Sequence, residues 1–200
     1  MHSSDIKKAI KQAQDGDQEA FGQLFDCYHD RIVNYAFRRT LDIDIAQDIA
    51  SVVFLKVIDG LPTFRWQHEY SFSGWIFRIC SNEINQYYRK KGRYKHVDDD
   101  TFEAVMPDID RSRTERRSVE QEIDTKHDFV YAMKHIQQLK PKQQDIIHMH
   151  FFEQLSSKEI ATALRMREGA VRTALHRSLA KLRKEMQAYE VYSQERSTTS

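Results

Sequence analysis

The sequence predicts an all-α protein, two small helical domains joined by an acidic segment. Three observations carry this. The 200 residues include 6 glycines and 3 prolines, too few for turn-rich sheet architecture. Apolar residues recur at three- and four-residue steps along most of the chain, and strand-like alternation is hard to find. Charge is unevenly spread: residues 98–124 hold ten acids against four arginines, residues 86–95 hold five bases and no acid, and residues 126–187 hold twelve bases against six acids. A net charge of +1 by itself points to no polyanion. Two basic stretches flanking an acidic one suggest polyanion contact at two places.

The elements follow in order. Residues 5–15 read as a short polar helix, broken at Gly16 and Asp17. Phe21, Leu24, Phe25, Tyr28, Ile32 and Tyr35/Ala36 then define an amphipathic helix with those side chains inward. Asp42 and Asp44 open the next helix, because acids favour the positive end of the helix dipole. Its apolar positions are Ile45, Ile49, Val52, Val53 and Phe54 onward to Ile58, and Gly60 and Pro62 end it. Residues 61–73 form a loop rich in aromatics: Phe64, Trp66, Tyr70 and Phe72. From about Gly74 another helix places Trp75, Ile76, Ile79, Cys80 and Ile84 inward and ends in Tyr87, Tyr88, Arg89, Lys90 and Lys91. Aromatics interleaved with cations suit a single nucleic-acid strand, since bases stack and phosphates pair. The same rings also suit the packing of a helical core.

Residues 96–124 are acidic, poor in large apolar side chains and contain Pro107; they read as a flexible linker. Helices resume near Asp128 with Phe129, Met133, Ile136 and Leu139, break at Pro141, and continue through Ile146, Ile147 and Phe151. The expected domains are 1–95, a linker 96–127, a second domain 128–187, and a disordered tail 188–200.

Residues 155–184 carry the sharpest functional signal. Ser156 and Glu159 have the spacing of a capping box. Ile160, Ala161 and Leu164 share one face of a short helix, Arg165-Met166-Arg167 forms a turn, and a second helix starts near Gly169. Val171, Leu175, Ser178 and Leu182 make its inner stripe; Arg172, Thr173, His176 and Arg177 lie opposite. Seven basic residues against one acid between 165 and 184 make this a cationic helix braced by a short one, the shape that enters the major groove of DNA.

Other classes find no support. Cys27 and Cys80 sit in apolar helical patterns, as buried thiols rather than a disulfide or metal pair. The nine histidines show no metal spacing; His148 and His150, two apart, point to different sides of a helix. No phosphate-binding glycine loop or nucleophile signature is present, so no catalytic residue, metal or cofactor is expected. The polar start MHSSDIKKAI and the lack of a membrane-length apolar run predict a cytoplasmic protein with no membrane partner.

The two halves, in this order, resemble the extracytoplasmic-function sigma factors of bacterial RNA polymerase. GDQEAFGQLFDCYHDRIVNYAFRR, AQDIASVVFLKV and FSGWIFRICSNEINQYYRKKGR resemble sigma region two; IQQLKPKQQDIIHMHFFEQLSSKEIATALRMREGAVRTALHRSLAKLRK resembles region four. The resemblance implies a non-enzymatic initiation factor that binds the clamp and flap of core RNA polymerase and promoter DNA. It assigns polymerase binding to Asp48, Ile49, Ser51, Val52, Phe54 and Leu55. It assigns the minus-ten element to Phe64, Arg65, Trp66, Trp75, Arg78, Asn82, Arg89 and Lys90, where a flipped base must be held against the cost of unstacking. It assigns the minus-thirty-five element to Arg167, Glu168, Arg172, Thr173, His176 and Arg177. The rival readings are a stand-alone helix-turn-helix regulator and an enzyme with a DNA-binding appendage.

The chain departs from the family pattern in places. Gln47 and Val52 stand at positions commonly acidic, Ser51 replaces a glutamine, Gln86 stands where aspartate is usual, Arg165 replaces a turn glycine, and Ala174 a polar or basic residue. Depleted acid on the polymerase-binding helix invites a modification that restores it. Phosphorylation adds about −1.5 to −2 charges. Thr63, after Pro62 in a loop, is the first candidate and Ser51, inside the helix, the second. A Ser/Thr kinase or an anti-sigma factor is therefore the expected regulator.

Overall fold

The computed structural model describes residues 1–68, 71–91 and 131–197, with side-chain surroundings as far as 187. The linker 96–127, Tyr70, Phe129 and residues 198–200 lie outside the described residues. Among those described, every regular element is helical, as the composition predicted.

Four helices open the chain: α1 (Ser3–Gln14), α2 (Gln18–Thr40), α3 (Ile43–Gly60) and α4 (Ser71–Lys91), with a 3-10 turn, Leu61–Thr63, between the last two. Each start has a local cause. The Asp17 carboxylate accepts from the Glu19 and Ala20 amides, and that of Asp42 from the Ile45 amide at 3.0 Å. α2 ends on Leu41, which takes a left-handed conformation (φ 54°). α4 starts three residues before Gly74, with Ser71 and Phe72 already buried.

The chain divides into two compact units. The first comprises Met1–Tyr94 with His148–Val171. Its centre is α2, whose Leu24, Tyr28, Ile32, Tyr35 and Ala36 are all at most 2% exposed. Phe72 and Phe77 of α4 meet Tyr28 and Tyr35 edge-on, at ring distances of 5.3 and 5.6 Å, and the Tyr28 hydroxyl pairs with Ser73 Oγ at 2.9 Å. Two expectations change here. Phe25 is exposed, stacks on His29 and meets the Phe54 ring at a tilt. Val52 and Ile58 of α3 also face solvent, because Ala46, Ile49, Ala50, Val53 and Val57 take the core side.

Also in this unit are a π-helical turn, His148–Phe152, a short helix, α6 (Ser157–Leu164), and the start of the last helix, α7 (Glu168–Ser197). The capping box of α6 is formed in full: the Glu159 amide donates to Ser156 Oγ at 3.2 Å and the Ser156 amide to Glu159 Oε2 at 2.7 Å. α6 lies close on α4. A Cβ on Gly74 would come within 2.7 Å of Thr162 Cβ and Cγ2. The Arg78 guanidinium donates through Nε and Nη2 to the Thr162 carbonyl. Glu153, its side chain 4% exposed, pairs with Arg38 Nη1 at 3.0 Å, and Arg31 Nη2 donates to the Glu153 carbonyl at 2.9 Å.

The second unit comprises Lys95–Ile147 with Arg172–Ser200. Its described core holds Met133, Ile136 and Leu139 from the helical segment 131–137 and the turn after it, and Ile146 and Ile147 from α5 (Pro141–Ile147). The Gln144 amide donates to the carbonyls of Gln137 and Leu139, both at 2.8 Å, satisfying backbone groups at the break before Pro141. Gln143 donates to Ser178 Oγ at 3.2 Å, which explains a serine on the inner stripe of α7. α7 continues as helix through 188–197, beyond the point where the sequence suggested a tail.

Candidate nucleic-acid and polymerase interface

Three surfaces carry the expected site residues. The first is on α3. Asp48, Ser51, Val52 and Leu55 are exposed, Leu55 by 61%, and with Ile58 (50%) they run at three- and four-residue steps along one face. Ile49 and Phe54, expected among them, are each 6% exposed and point into the helical core. Ile58 was missed as a surface residue because an apolar residue at helical spacing reads as core. Ser51 Oγ donates back to the Gln47 carbonyl at 3.0 Å within the helix.

The second surface is the loop after α3 and one face of α4. Phe64 is held by Phe72 and Trp75, at ring distances of 5.5 and 4.9 Å. Trp75 lies against Gly60, where a Cβ would sit 2.8 Å from the indole, so glycine at the end of α3 is a packing requirement as well as a stop signal. Arg65 is exposed and Trp66 half-buried. Trp75, Arg78, Asn82, Gln86 and Arg89 follow at three- and four-residue steps on one face of α4, with Asn82, Arg89 and Lys90 exposed. Arg78 is engaged on the Thr162 carbonyl. Sequence reasoning did not foresee the anchor of this loop: Gln14 Nε2 donates to the carbonyls of Leu61 and Phe64, both at 2.8 Å. A contact 47 to 50 residues away leaves no local signal. Thr63 is exposed, and its hydroxyl donates to the Gly60 carbonyl at 3.1 Å.

The third surface is the helix-turn-helix of α6 and α7. Arg165 takes the left-handed conformation expected of a glycine (φ 50°, ψ 51°), at a cost of about 1 kcal/mol. On α7, Val171 and Ser178 are fully buried and Leu175 and Leu182 partly so, while Arg172, Thr173, His176 and Arg177 are exposed. Arg167 is exposed and Glu168 half-buried at the start of the helix. The split between an apolar and a cationic face matches the one read from the sequence.

Comparison with known proteins accounts for the pairing of these surfaces. Residues 24–94 match the family model of Sigma-70 region 2, and residues 131–182 that of Sigma-70, region 4. The ECF RNA polymerase sigma factor SigW of Bacillus subtilis is 28% identical over 189 residues, covering 90% of this chain and 96% of that one. The chain is an extracytoplasmic-function sigma factor. The ECF RNA polymerase sigma factor BldN of Streptomyces coelicolor is 26% identical over 180 residues; 90% of this sigma factor matches 65% of BldN's length. The fold matches the solved structures of CnrH in complex with the cytosolic domain of CnrY (TM-score 0.65, 20% identity, 92% and 98% of the two chains) and of the sigma factor RpoE with the anti-sigma factor NepR from Bartonella quintana (TM-score 0.59, 17% identity, 84% and 96%). As a sigma factor, the protein serves transcription initiation rather than catalysis. Among the described residues, no helix is long and apolar enough to cross a membrane.

Proposed function

We propose that this sigma factor docks on core RNA polymerase through the exposed α3 face and divides promoter recognition between its other two surfaces. The loop and α4 hold the unpaired minus-ten element; the α7 helix reads the minus-thirty-five element in the major groove. The observation that carries the reading is the α3 stripe. Val52, Leu55 and Ile58 are large, apolar and exposed side by side, an arrangement that marks a protein-docking face. Exposed Asp48 and Ser51 border it. The match of both sigma regions in order weighs against a stand-alone helix-turn-helix regulator, which needs no polymerase-docking face.

Thr63 phosphorylation fits this reading as a control. Its hydroxyl is exposed just past α3, whereas Ser51 sits in the middle of a helix and is bonded to the turn before it. A phosphate there adds negative charge near the docking face that lacks acid at Gln47 and Val52. An anti-sigma protein is the other regulator that the family supports.

Transcription from a cognate promoter with purified core polymerase tests both ideas. Leu55→Lys, which removes an apolar contact and adds charge of the opposite sign to the missing acid, is expected to lower core affinity at least tenfold while leaving the circular-dichroism spectrum and thermal midpoint unchanged. Unaltered core binding in that variant means that docking lies elsewhere. Thr63→Glu is expected to raise core affinity and Thr63→Ala to leave the unmodified protein unaffected; equal activity of wild type and Thr63→Glu removes the kinase from the scheme.

A further inference from the structure

The three surfaces above draw on α1 only through the Gln14 anchor, yet another of its faces is shaped. Lys7, Lys11 and Asp15 follow at four-residue steps, with Lys8 beside them, and line an open groove of about 690 Å³ shared with Trp66 of the loop. All three lysines are exposed, and among the described residues none is in an ion pair. Among the described residues, Asp15 is the single carboxylate on the wall. The groove is held in shape from beneath. Gln14, on the next turn of α1, fastens the loop through the Leu61 and Phe64 carbonyls. Phe64 is taken up by Phe72 and Trp75. Trp66, two residues on, is half-buried, and among the described residues it has no aromatic partner.

We propose that this groove seats one unpaired nucleotide of the promoter strand, its base against the Trp66 indole and its phosphate between Lys7 and Lys11. The inference rests on the minus-ten reading above and extends that single-strand path onto α1. The chemistry favours a single strand. An aromatic face beside cations takes any base, because every base has a π-face. The volume lies in the range of small-ligand clefts, enough for one nucleotide and too small for a duplex. The seat also continues the surface that Phe64 and α4 already form, since Trp66 belongs to the same loop.

The test uses the holoenzyme, assembled from core polymerase and either the wild type or the double variant Lys7→Gln, Lys11→Gln. Both substitutions are at exposed helical positions, and glutamine keeps helix propensity near that of lysine. Binding to a promoter with a pre-opened minus-ten bubble is measured over a series of salt concentrations, and core binding is measured separately without DNA. The variant is expected to bind the bubble about tenfold more weakly at moderate salt. Its plot of log affinity against log salt should be shallower by about 0.7, for the one single-strand phosphate that the two lysines no longer neutralise. Core affinity should not change. An unchanged affinity and slope overturn the assignment. A fall in core affinity without DNA gives α1 to the polymerase and overturns it as well. Failure of the wild-type holoenzyme to bind the opened promoter sinks the minus-ten reading itself, and this inference with it.

Discussion

His148 shows how a single side chain couples this fold to pH. It is fully buried, and among the described residues neither ring nitrogen has a hydrogen-bond partner. Burial first, then the charges of Arg39 and Arg38, push its pKa well below the ordinary 6.5. A depressed folded pKa means that the unfolded chain takes up a proton that the folded chain refuses. Stability is therefore present above about pH 6.5 and falls below it, by up to about 1.4 kcal/mol per pH unit. Glu153 acts in the opposite sense. Burial raises its pKa despite Arg38 and Arg31, so its share of stability falls as pH rises through the window just above the usual carboxylate range. His148→Leu separates the two. Denaturant unfolding between about pH 5 and 8 is expected to show the acid-side loss in wild type and its absence in the variant. At the alkaline end the variant should be no less stable than wild type, because an unsatisfied polar ring has been removed. A variant with the wild-type pH slope means that another group carries it.

At the scale of elements, two glycines on neighbouring helices have opposite meanings. Gly22 of α2 has nothing within 4 Å of an added Cβ, whereas Gly74 of α4 would meet Thr162 at 2.7 Å. Gly22→Ala should stabilise by about 1 kcal/mol, the ordinary helix-propensity gain. Gly74→Ala is expected to cost about 1–3 kcal/mol, because the obstacle is a Cβ and a branched methyl on a facing helix rather than the tip of a flexible chain. Thermal unfolding of the pair decides it; a stabilising Gly74→Ala means that α4 and α6 are not in this contact in solution. These opposite signs were not legible in the sequence, where both glycines are isolated residues in helical patterns. The capping box at Ser156 and the left-handed Arg165 were legible, because each depends on residues within one turn.

At the scale of the whole molecule, the first unit joins stretches more than a hundred residues apart. Glu153 is buried between arginines of α2, and Arg78 is spent on a backbone carbonyl of α6. A buried ion pair is weak evidence for net stability, since desolvation offsets attraction; removing one partner is a different matter, because it leaves charge without compensation. Arg38→Met is expected to destabilise by about 2 kcal/mol, because it leaves the buried Glu153 carboxylate with only Arg31, which is one-third exposed. Chemical denaturation is the measurement, and a loss below a few tenths of a kcal/mol means that the pair is not formed in solution. The minus-ten contact proposed for Arg78 would have to compete with the Thr162 carbonyl for the same guanidinium.

The sequence by itself determined what depends on neighbours a few residues away. The helical class, the caps of α2, α3 and α6, the turn at Arg165 and the apolar and cationic faces of α7 all follow from local spacing and backbone chemistry. α7 was legible because one face is apolar and the other charged. α3 was not, because it is apolar nearly all round: Ile49 and Phe54 are buried while Val52, Leu55 and Ile58 are exposed, and nothing in their side chains distinguishes the two groups. Only the packing of α2 and α4 against it chose which side became core and left the rest exposed. The same holds for Gln14 on the loop, Arg78 on Thr162 and Glu153 between its arginines. Helical periodicity records which residues share a face; the tertiary structure decides which face is covered, and by what.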